Sequence, residues 1–168
     1  MRFLSKVIRM EDLSRFRAGY DDRLLSKPHR SVVATNGCFD VVHAGHVRSL
    51  AAARALGDAL IVGLNGDDSV RQLKGAGRPV NTALDRATLL AAFEFVDAVC
   101  IFPGIRATEF LRQARPDVYV KSADYTFATL DPGERQALEE VGADIRFLPL
   151  VPGLSTTVIL SKLAGLQA

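Results

Sequence analysis

The stretch Thr35-Asn36-Gly37-Cys38-Phe39-Asp40-Val41-Val42-His43-Ala44-Gly45-His46 decides the fold. An apolar run, Ser31 to Ala34, leads into it, and an alanine-rich segment from Val47 to Leu56 follows, which together predict a strand, a loop and a helix. The free N–H groups and the dipole of a helix favour an anion at its first turn. Gly37 and Gly45 let the main chain approach a ligand closely. The stretch therefore predicts a phosphate site where the helix begins.

Two histidines in this loop, His43 and His46, stand three residues apart around Gly45. If the chain turns into the helix at Gly45, both imidazoles can point toward one phosphate oxygen. A single histidine is more often a structural residue than a ligand. Here the pairing, the glycines and the preceding Asp40 favour the binding role. Since no Ser or Lys stands in the stretch, we do not expect the histidines to activate a nucleophile.

Composition limits the classes of protein to which the chain can belong. Its 168 residues, with 48% hydrophobic and 24% charged, predict one globular domain with a sizeable core. The net charge of +2, from 21 basic and 19 acidic residues that are interspersed, gives no support for nucleic acid binding. Two cysteines, Cys38 and Cys100, make no disulfide framework, and reduced thiols in a cytoplasm fit best. No stretch approaches the ~20 apolar residues of a membrane span.

Short apolar runs alternate with helical segments from residue 31 onward, which indicates a parallel sheet buried on both faces. The predicted strands are residues 32–35, 59–64, 98–102, 118–121 and 145–148. The predicted helices are residues 47–56, 67–73 with a cap at Asp67 or Asp68, 82–93 capped by Thr82, 106–115, 132–141 ending at Gly142, and 155–163. We expect a doubly wound, Rossmann-like α/β sheet with ligands at the carboxyl ends of its strands.

Residues 1–30 are predicted to form a helical extension, and residues 31–168 the main domain. Asp12 or Ser14 is a candidate cap for a short helix in the extension, and Pro28 is a candidate stop. We expect this helix to lie on the domain or on a second subunit.

Four further stretches carry side chains suited to phosphate. Lys74 and Arg78 flank two glycines and form either a cationic lid over phosphates or a solvated surface loop. Judged from this loop alone, the surface loop is the more common case. Arg86, near the start of a helix, either pairs with acidic neighbours or reaches a triphosphate. Lys121 closes a strand, with Asp124 three residues later, where a cation would meet the substrate. The run 155–157, Ser-Thr-Thr, offers hydroxyls and N–H groups at a helix start, and its plainer interpretation is a helix cap.

The sequence resembles the nucleotidyltransferase superfamily that includes the cytidylyltransferases and the small adenylyltransferases. The resemblance rests on Gly-x-Phe-Asp at residues 37–40 and His-x-Gly-His at residues 43–46. From about Val32 to Leu163 the chain is similar to one branch, the bacterial D-glycero-β-D-manno-heptose 1-phosphate adenylyltransferases. The stretches that carry this similarity are residues 35–40, 56–65, 73–80, 85–86 and 153–157.

The resemblance implies that ATP and a sugar 1-phosphate, heptose 1-phosphate first, give an ADP-sugar and pyrophosphate by direct in-line attack on the α-phosphorus. It implies His43, His46 and Lys121 as catalytic residues. The nucleotide-binding residues that it implies are Asn36, Gly37, Phe39, Asp40, Gly45, Asn65, Lys74, Arg86, Ser155, Thr156 and Thr157. The substrate-binding residues that it implies are Cys38, Arg78 and Asp124.

The resemblance also bears on metal and assembly. Asp40 would orient His43 or help to hold Mg²⁺, which we expect to arrive with the triphosphate, because the sequence shows no carboxylate cage. A homodimer is expected by resemblance.

The sequence departs from the branch at one place beside the expected substrate pocket. Where the branch usually has Lys-Gly-Gly-Asp-Tyr, this chain has Lys121-Ser122-Ala123-Asp124-Tyr125, which removes backbone freedom. The identity of the sugar is therefore open. The alternatives are a cytidylyltransferase or other adenylyltransferase that acts on a different phosphorylated small molecule, and a nucleotide-binding module without turnover.

Overall fold

The computed structural model describes residues 2–20, 30–149 and 153–165. Six strands form one sheet in which every pairing is parallel. The strands are β1 Val7–Ile8, β2 Val32–Gly37, β3 Ala59–Asn65, β4 Ala98–Phe102, β5 Val118–Ser122 and β6 Asp144–Leu148. The helices are α1 Leu13–Ala18, α2 Ala44–Arg54, α3 Asp67–Lys74, α4 Ala83–Ala91, α5 Thr108–Ala114, α6 Pro132–Val141 and α7 Thr156–Gly165. Two short 3-10 helices, Arg2–Lys6 and Met10–Asp12, flank β1.

Helices cover both faces of the sheet, because alternate residues of its strands are buried on opposite sides. On β3, Ile61 packs with residues of α1, α5 and α6 in one apolar cluster. Its neighbours Leu60 and Val62 pack in a second cluster with Leu50 of α2 and Leu90 of α4. Burial on both faces explains why β3 is a nearly continuous apolar run. The predicted doubly wound, Rossmann-like fold is confirmed.

The sheet order is β1-β4-β3-β2-β5-β6, so the direction of chain progression reverses between β2 and β5. These two strands are neighbours, with Thr35 opposite Val120. The helix that follows β2 lies on one face of the sheet and the next helix after β5 lies on the other. Such a reversal opens a crevice at the carboxyl ends of the strands, where ligands bind in folds of this type.

The N-terminal stretch contributes a strand that the sequence did not predict. Val7 and Ile8 pair with Val99 and Cys100 of β4 and extend the sheet at that edge. The predicted short helix is present as α1, with Asp12 at its N-cap position. The predicted stop at Pro28 lies outside the described residues. Two residues are too few for a periodic pattern, which is why β1 left no signal in the sequence.

Helix starts differ from the predictions at several places, and α5 begins at Thr108 rather than Arg106. Helix α2 begins at Ala44 rather than Val47, because the His43 side chain takes the capping position. The N-cap of α3 is Gly66, so the prediction of a cap at Asp67 or Asp68 is wrong; both acids lie in the first turn. Thr82 and Gly142 are the caps that the sequence predicts: Thr82 accepts from the N–H of Asp85, and Gly142 has a φ of 74°. None of the helices in the described ranges combines the length and the apolar character of a membrane span.

Candidate active site

A cleft of about 800 Å³ opens at the carboxyl ends of β2 and β5. Every predicted site residue except Arg86 lines it. Those residues are Asn36, Gly37, Cys38, Phe39, Asp40, His43, Gly45, His46, Asn65, Lys74, Arg78, Lys121, Asp124, Ser155, Thr156 and Thr157. The fold therefore gathers residues that are up to 121 positions apart in the sequence, from Asn36 to Thr157, around one cavity.

His43 and His46 stack against each other, with ring centroids 3.8 Å apart. His43 Nδ1 accepts a hydrogen bond from the N–H of Gly45 at 3.1 Å, and His46 Nδ1 accepts one from the N–H of His43 at 3.3 Å. Each Nδ1 is thus held as an acceptor by main chain at the start of α2. A neutral imidazole that accepts at Nδ1 carries its proton on Nε2. The pair therefore offers two Nε2–H donors.

Burial favours the neutral form of both imidazoles. It lowers the pKa of His46 to about 4, with the neighbouring His43 as a second cause. Burial also lowers the pKa of His43. Two stacked imidazoles disfavour a positive charge on each other, and the positive end of α2 acts in the same direction. The arrangement is suited to hydrogen-bond donation toward an anion rather than to proton abstraction.

Two glycines of the loop are required by close packing. A Cβ on Gly45 would lie 2.9 Å from His43 Cε1 and Nδ1, so a side chain there would displace the imidazole. A Cβ on Gly37 would lie 3.1 Å from the ring of Phe39. Phe39 itself has a φ of 45°, in the left-handed region that a residue with a Cβ rarely adopts. Its ring lies between Gly37 and His46, whose ring centroid is 5.2 Å away.

Asp40 does not orient His43. Its buried carboxylate pairs with the Arg78 guanidinium and accepts the backbone N–H groups of Val80, at 2.7 Å, and Asn81, at 3.1 Å. The prediction for His43 is wrong because these donors already occupy the carboxylate. The same contacts leave Asp40 unsuited to a metal ion, and within the described ranges no group of three or more His, Cys, Asp and Glu side chains could hold one. Asp40 instead fixes the loop that carries Lys74 and Arg78.

Arg86 is the one predicted site residue that the structure does not bring to the cleft. Its side chain is completely buried and donates to the carbonyls of Asn81, at 3.0 Å, and Cys38, at 2.5 Å. It also pairs with Asp67 at 2.7 Å. The structure has neither of the two arrangements predicted from sequence, because the acidic partner of Arg86 is Asp67, 19 positions earlier, and Arg86 does not line the cleft. Through the Cys38 carbonyl, Arg86 supports the loop that leads to the histidines.

Lys121 projects into the cleft from the end of β5. Its ammonium donates to Asn36 Oδ1 at 3.0 Å and lies 3.6 Å from Glu134 Oε2. Burial is the largest influence on Lys121 and lowers its pKa, whereas the Glu134 carboxylate acts in the opposite direction. Asn36 Oδ1 also accepts the Tyr119 hydroxyl at 2.5 Å. Asn36 therefore connects two strands at the crevice.

Glu134 is a buried member of this site that sequence reasoning missed. It lies in the first turn of α6, directly after Pro132-Gly133, and is 4% exposed. The only sequence signal was an acidic residue at a helix start. Such residues are common there and do not indicate a particular site. Tyr125, Ser122 and Arg106 also line the cleft, and the sequence analysis assigned none of them a role.

The remaining residues hold the walls in place. The Asn65 side-chain amide donates to the carbonyls of Gly104 and Ile105, both at 3.3 Å. Thr156 Oγ1 donates to the carbonyl of Val41 at 3.3 Å and so joins α7 to the histidine loop. Burial is the largest influence on the Cys38 thiol and raises its pKa.

The sequence matches the family described as Cytidylyltransferase-like over residues 34–161. The chain belongs to the cytidylyltransferase-like family. The match begins within β2 and ends within α7, so it includes every element that lines the cleft.

Curated relatives of this cytidylyltransferase-like chain carry the name Bifunctional protein HldE. The protein from Methylococcus capsulatus is 49% identical over 139 residues, which are 83% of this chain and 29% of that protein. The protein from Campylobacter curvus is 46% identical over 140 residues, again 83% and 29%. The chain thus spans about a third or less of the length of these relatives.

Solved structures agree with the fold of the cytidylyltransferase-like family. A lipopolysaccharide core biosynthesis protein from Thermoplasma volcanium superposes with a TM-score of 0.59 at 23% identity, over 73% of this chain and 97% of that chain. A pantoate-β-alanine ligase from Francisella tularensis superposes with a TM-score of 0.58 at 11% identity, over 96% of this chain and 78% of that chain. At these identities the likeness supports the fold alone.

Proposed function

We propose that this chain is an adenylyltransferase that joins the AMP part of ATP to a sugar 1-phosphate, with heptose 1-phosphate as the first candidate. The observation that carries the proposal is the pair of Nε2–H donors of His43 and His46, in one cleft with Lys121. Family membership supports nucleotidyl transfer. The similarity to heptose 1-phosphate adenylyltransferases across residues 32–163 supports the choice of ATP and of the sugar.

The reaction needs positioning and charge stabilisation more than it needs a base, because the attacking sugar phosphate is already an anion. A phosphate oxygen of the sugar attacks the α-phosphorus of ATP, a new P–O bond forms, and the bond to the pyrophosphate oxygen breaks in line. His43 and His46 donate hydrogen bonds to the phosphate oxygens on which charge changes during the transfer. The Lys121 ammonium attracts the sugar phosphate and reduces repulsion between the two anions.

We assign the triphosphate to the side of the cleft formed by Lys74, Arg78 and the start of α7. The first two side chains are cations and Ser155 to Thr157 supply hydroxyls. Mg²⁺ enters as part of the MgATP substrate in this proposal. Arg86 acts at one remove, through its bond to the Cys38 carbonyl. A homodimer remains a prediction from resemblance.

The test is pyrophosphate release by the purified chain with Mg²⁺. ATP, CTP, GTP and UTP are each paired with both anomers of heptose 1-phosphate, with hexose 1-phosphates and with glycerol 3-phosphate. We expect release with ATP and a heptose 1-phosphate. Release with CTP or with another phosphate would replace the substrates and keep the chemistry, whereas ATP binding without release in any pair would favour a nucleotide-binding module.

The variant His46→Ala provides the link between this activity and the site. Removal of one charge-stabilising donor typically costs about 10²- to 10³-fold in turnover. We therefore expect a folded variant with a loss of that size. Near-normal turnover in a folded His46→Ala protein would contradict the assignment.

A further inference from the structure

The proposed reaction gives no role to Glu134, whose carboxylate lies 3.6 Å from the Lys121 ammonium. Glu134 lies on α6, on the opposite face of the sheet from the helix that carries the histidines. Both side chains are nearly enclosed, with 11% of Lys121 and 6% of Glu134 exposed. A carboxylate in such a place requires partners. Its two oxygens have different ones: Oε1 accepts the N–H of Ala107 at 2.8 Å, and Oε2 faces Lys121 Nζ at 3.6 Å.

The Lys121 ammonium is surrounded on several sides. Asn36 Oδ1 lies at 3.0 Å, and the Tyr125 and Tyr119 rings lie with centroids 5.1 and 5.7 Å from Nζ. Asn36 is a neutral acceptor that β2 contributes, whereas Glu134 is a full charge that α6 contributes. An unbranched lysine side chain adopts many rotamers when it is free. Two acceptors on different elements limit it to one direction, into the cleft.

We propose that Glu134 is a positioning residue that holds the Lys121 ammonium in place and in its charged form for the incoming sugar phosphate. The identity of that phosphate rests on the proposed function. The pairing of Glu134 with Lys121 does not, because it is present in the structure. The 3.6 Å separation, longer than the bond to Asn36, leaves the ammonium free to turn a proton toward a phosphate without losing its neighbour.

A purely structural ion pair would not need to keep Lys121 charged. The charge state of Lys121 therefore distinguishes the proposed role from a structural one. Burial disfavours the lysine cation and lowers the Lys121 pKa, and Arg106 acts in the same direction. Glu134 opposes them, with a smaller contribution from Asp124. Burial is the largest cause that raises the pKa of the Tyr119 and Tyr125 hydroxyls, and the Glu134 carboxylate acts in the same direction on both. Without the Glu134 charge, Lys121 would lose its proton at a lower pH.

The variant Glu134→Gln separates the two roles. The amide oxygen can still accept from Ala107, so the tie between α6 and the loop before α5 is kept, while the charge beside Lys121 is lost. Glu139→Gln is the matched control, because Glu139 is an exposed residue of the same helix. Glu134→Asp tests whether a carboxylate that is one methylene shorter restores the charge effect.

The first measurement does not require activity. The rate at which Lys121 is acylated by an amine-directed reagent is followed against pH by peptide mass spectrometry, without substrates. A charge partner at this distance shifts a pKa by about one unit or more, so we expect the midpoint in Glu134→Gln to fall by about one unit. Glu139→Gln should match the wild-type chain and Glu134→Asp should lie between. An unchanged midpoint in Glu134→Gln would overturn the proposal.

The second measurement is the pH profile of kcat/KM for the sugar phosphate. Its alkaline limb should move down by about one pH unit in Glu134→Gln. On the alkaline side of the wild-type limb the value should fall about tenfold, because the ammonium is then less charged, with the KM for ATP unchanged. A variant with an unmoved limb would contradict the proposal. If the wild-type chain turns over no substrate pair, the proposed function fails while the labelling experiment still decides the role of Glu134.

Discussion

At the scale of single residues, the site depends on how main chain fixes the two imidazoles. The N–H groups of His43 and Gly45 each donate to an Nδ1, which leaves the protons on Nε2. The same N–H groups are those that a helix start leaves without partners. The histidine motif thus uses its own helix to choose the tautomer of its two donors.

This geometry predicts an unusual titration for His46. Its pKa is about 4 in the folded chain, against an ordinary value near 6.5, so the imidazole should stay neutral through pH 5. We expect the ¹⁵N NMR signals of His46 to show an Nε2–H tautomer and a midpoint near pH 4. The variant His46→Gln assigns the signal by its loss. A midpoint near 6.5, or a proton on Nδ1, would contradict the arrangement.

The lowered pKa also affects stability, with a definite sign. Below about pH 6.5 the unfolded chain binds a proton at His46, whereas the folded chain does not until about pH 4. The free energy of unfolding should therefore fall as the pH is lowered through this window. Urea unfolding at several pH values measures the effect, and it should be smaller in His46→Gln.

Side chains that the proposal places against the substrates were easier to predict from the sequence than those that hold the site together. The histidines, Lys121 and the 155–157 run stand directly beside strand ends or helix starts, and topology alone brings such positions to one crevice. The roles of Glu134 and Arg86 depend on contacts with groups that are distant in the sequence. Arg86 reaches Cys38, 48 positions away, and no local pattern encodes that contact.

At the scale of elements, strands with buried runs and helices with clear caps were predictable, and elements defined by tertiary contacts were not. Strands β2 to β6 are five to seven residues long and were predicted from their apolar runs. Strand β1 has two residues and exists because β4 offers an edge to pair with. The early start of α2 depends on an imidazole that acts as a cap, a use that residue preferences for caps do not anticipate.

Helix α7 lines one side of the cleft and contacts the histidine loop near its N-terminus. Thr156 Oγ1 donates to the Val41 carbonyl. Leu154 lies close to Gly45, since a Cβ placed on Gly45 would be 3.3 Å from the Cβ of Leu154. All residues of α7 are half-buried or exposed, so this helix packs loosely against the rest of the domain. A single hydrogen bond can therefore matter for the position of its N-terminus.

The variant Thr156→Val tests this joint. It keeps the shape of the side chain and removes the hydroxyl, so the domain should fold normally. Loss of one hydrogen bond of ordinary strength should raise the KM for the nucleotide by about five- to tenfold, with a smaller effect on kcat. Ser161→Ala, an exposed change on the same helix, is the control. An unchanged KM would leave the 155–157 run as a helix cap only.

In the molecule as a whole, the cleft and the contacts of Arg17 lie at opposite ends of the sheet. The cleft lies at the carboxyl ends of the strands. At the amino ends, Arg17 of α1 donates to the Arg115 carbonyl at 3.0 Å and to Asp117 Oδ1 at 3.1 Å. The other Asp117 oxygen accepts the N–H of Val32 at 2.7 Å. Arg17 thus ties α1 to the segment just before β5, and Asp117 of that segment also binds the first residue of β2.

The variant Arg17→Met asks whether residues 1–30 are an extension or a part of the folding unit. The Arg17 side chain is 10% exposed and its guanidinium is paired with Asp117, so its removal should lower the free energy of unfolding by about 1–3 kcal/mol. Urea unfolding measures this loss, and Arg15→Met, an exposed change on the same helix, should stay within about 0.5 kcal/mol of the wild-type chain. The kinetic constants should not change, because the cleft lies at the other end of the sheet. Equal stability of Arg17→Met and Arg15→Met would mean that α1 is a separable extension, whereas a selective loss would place it within the same cooperative unit as the six-stranded sheet.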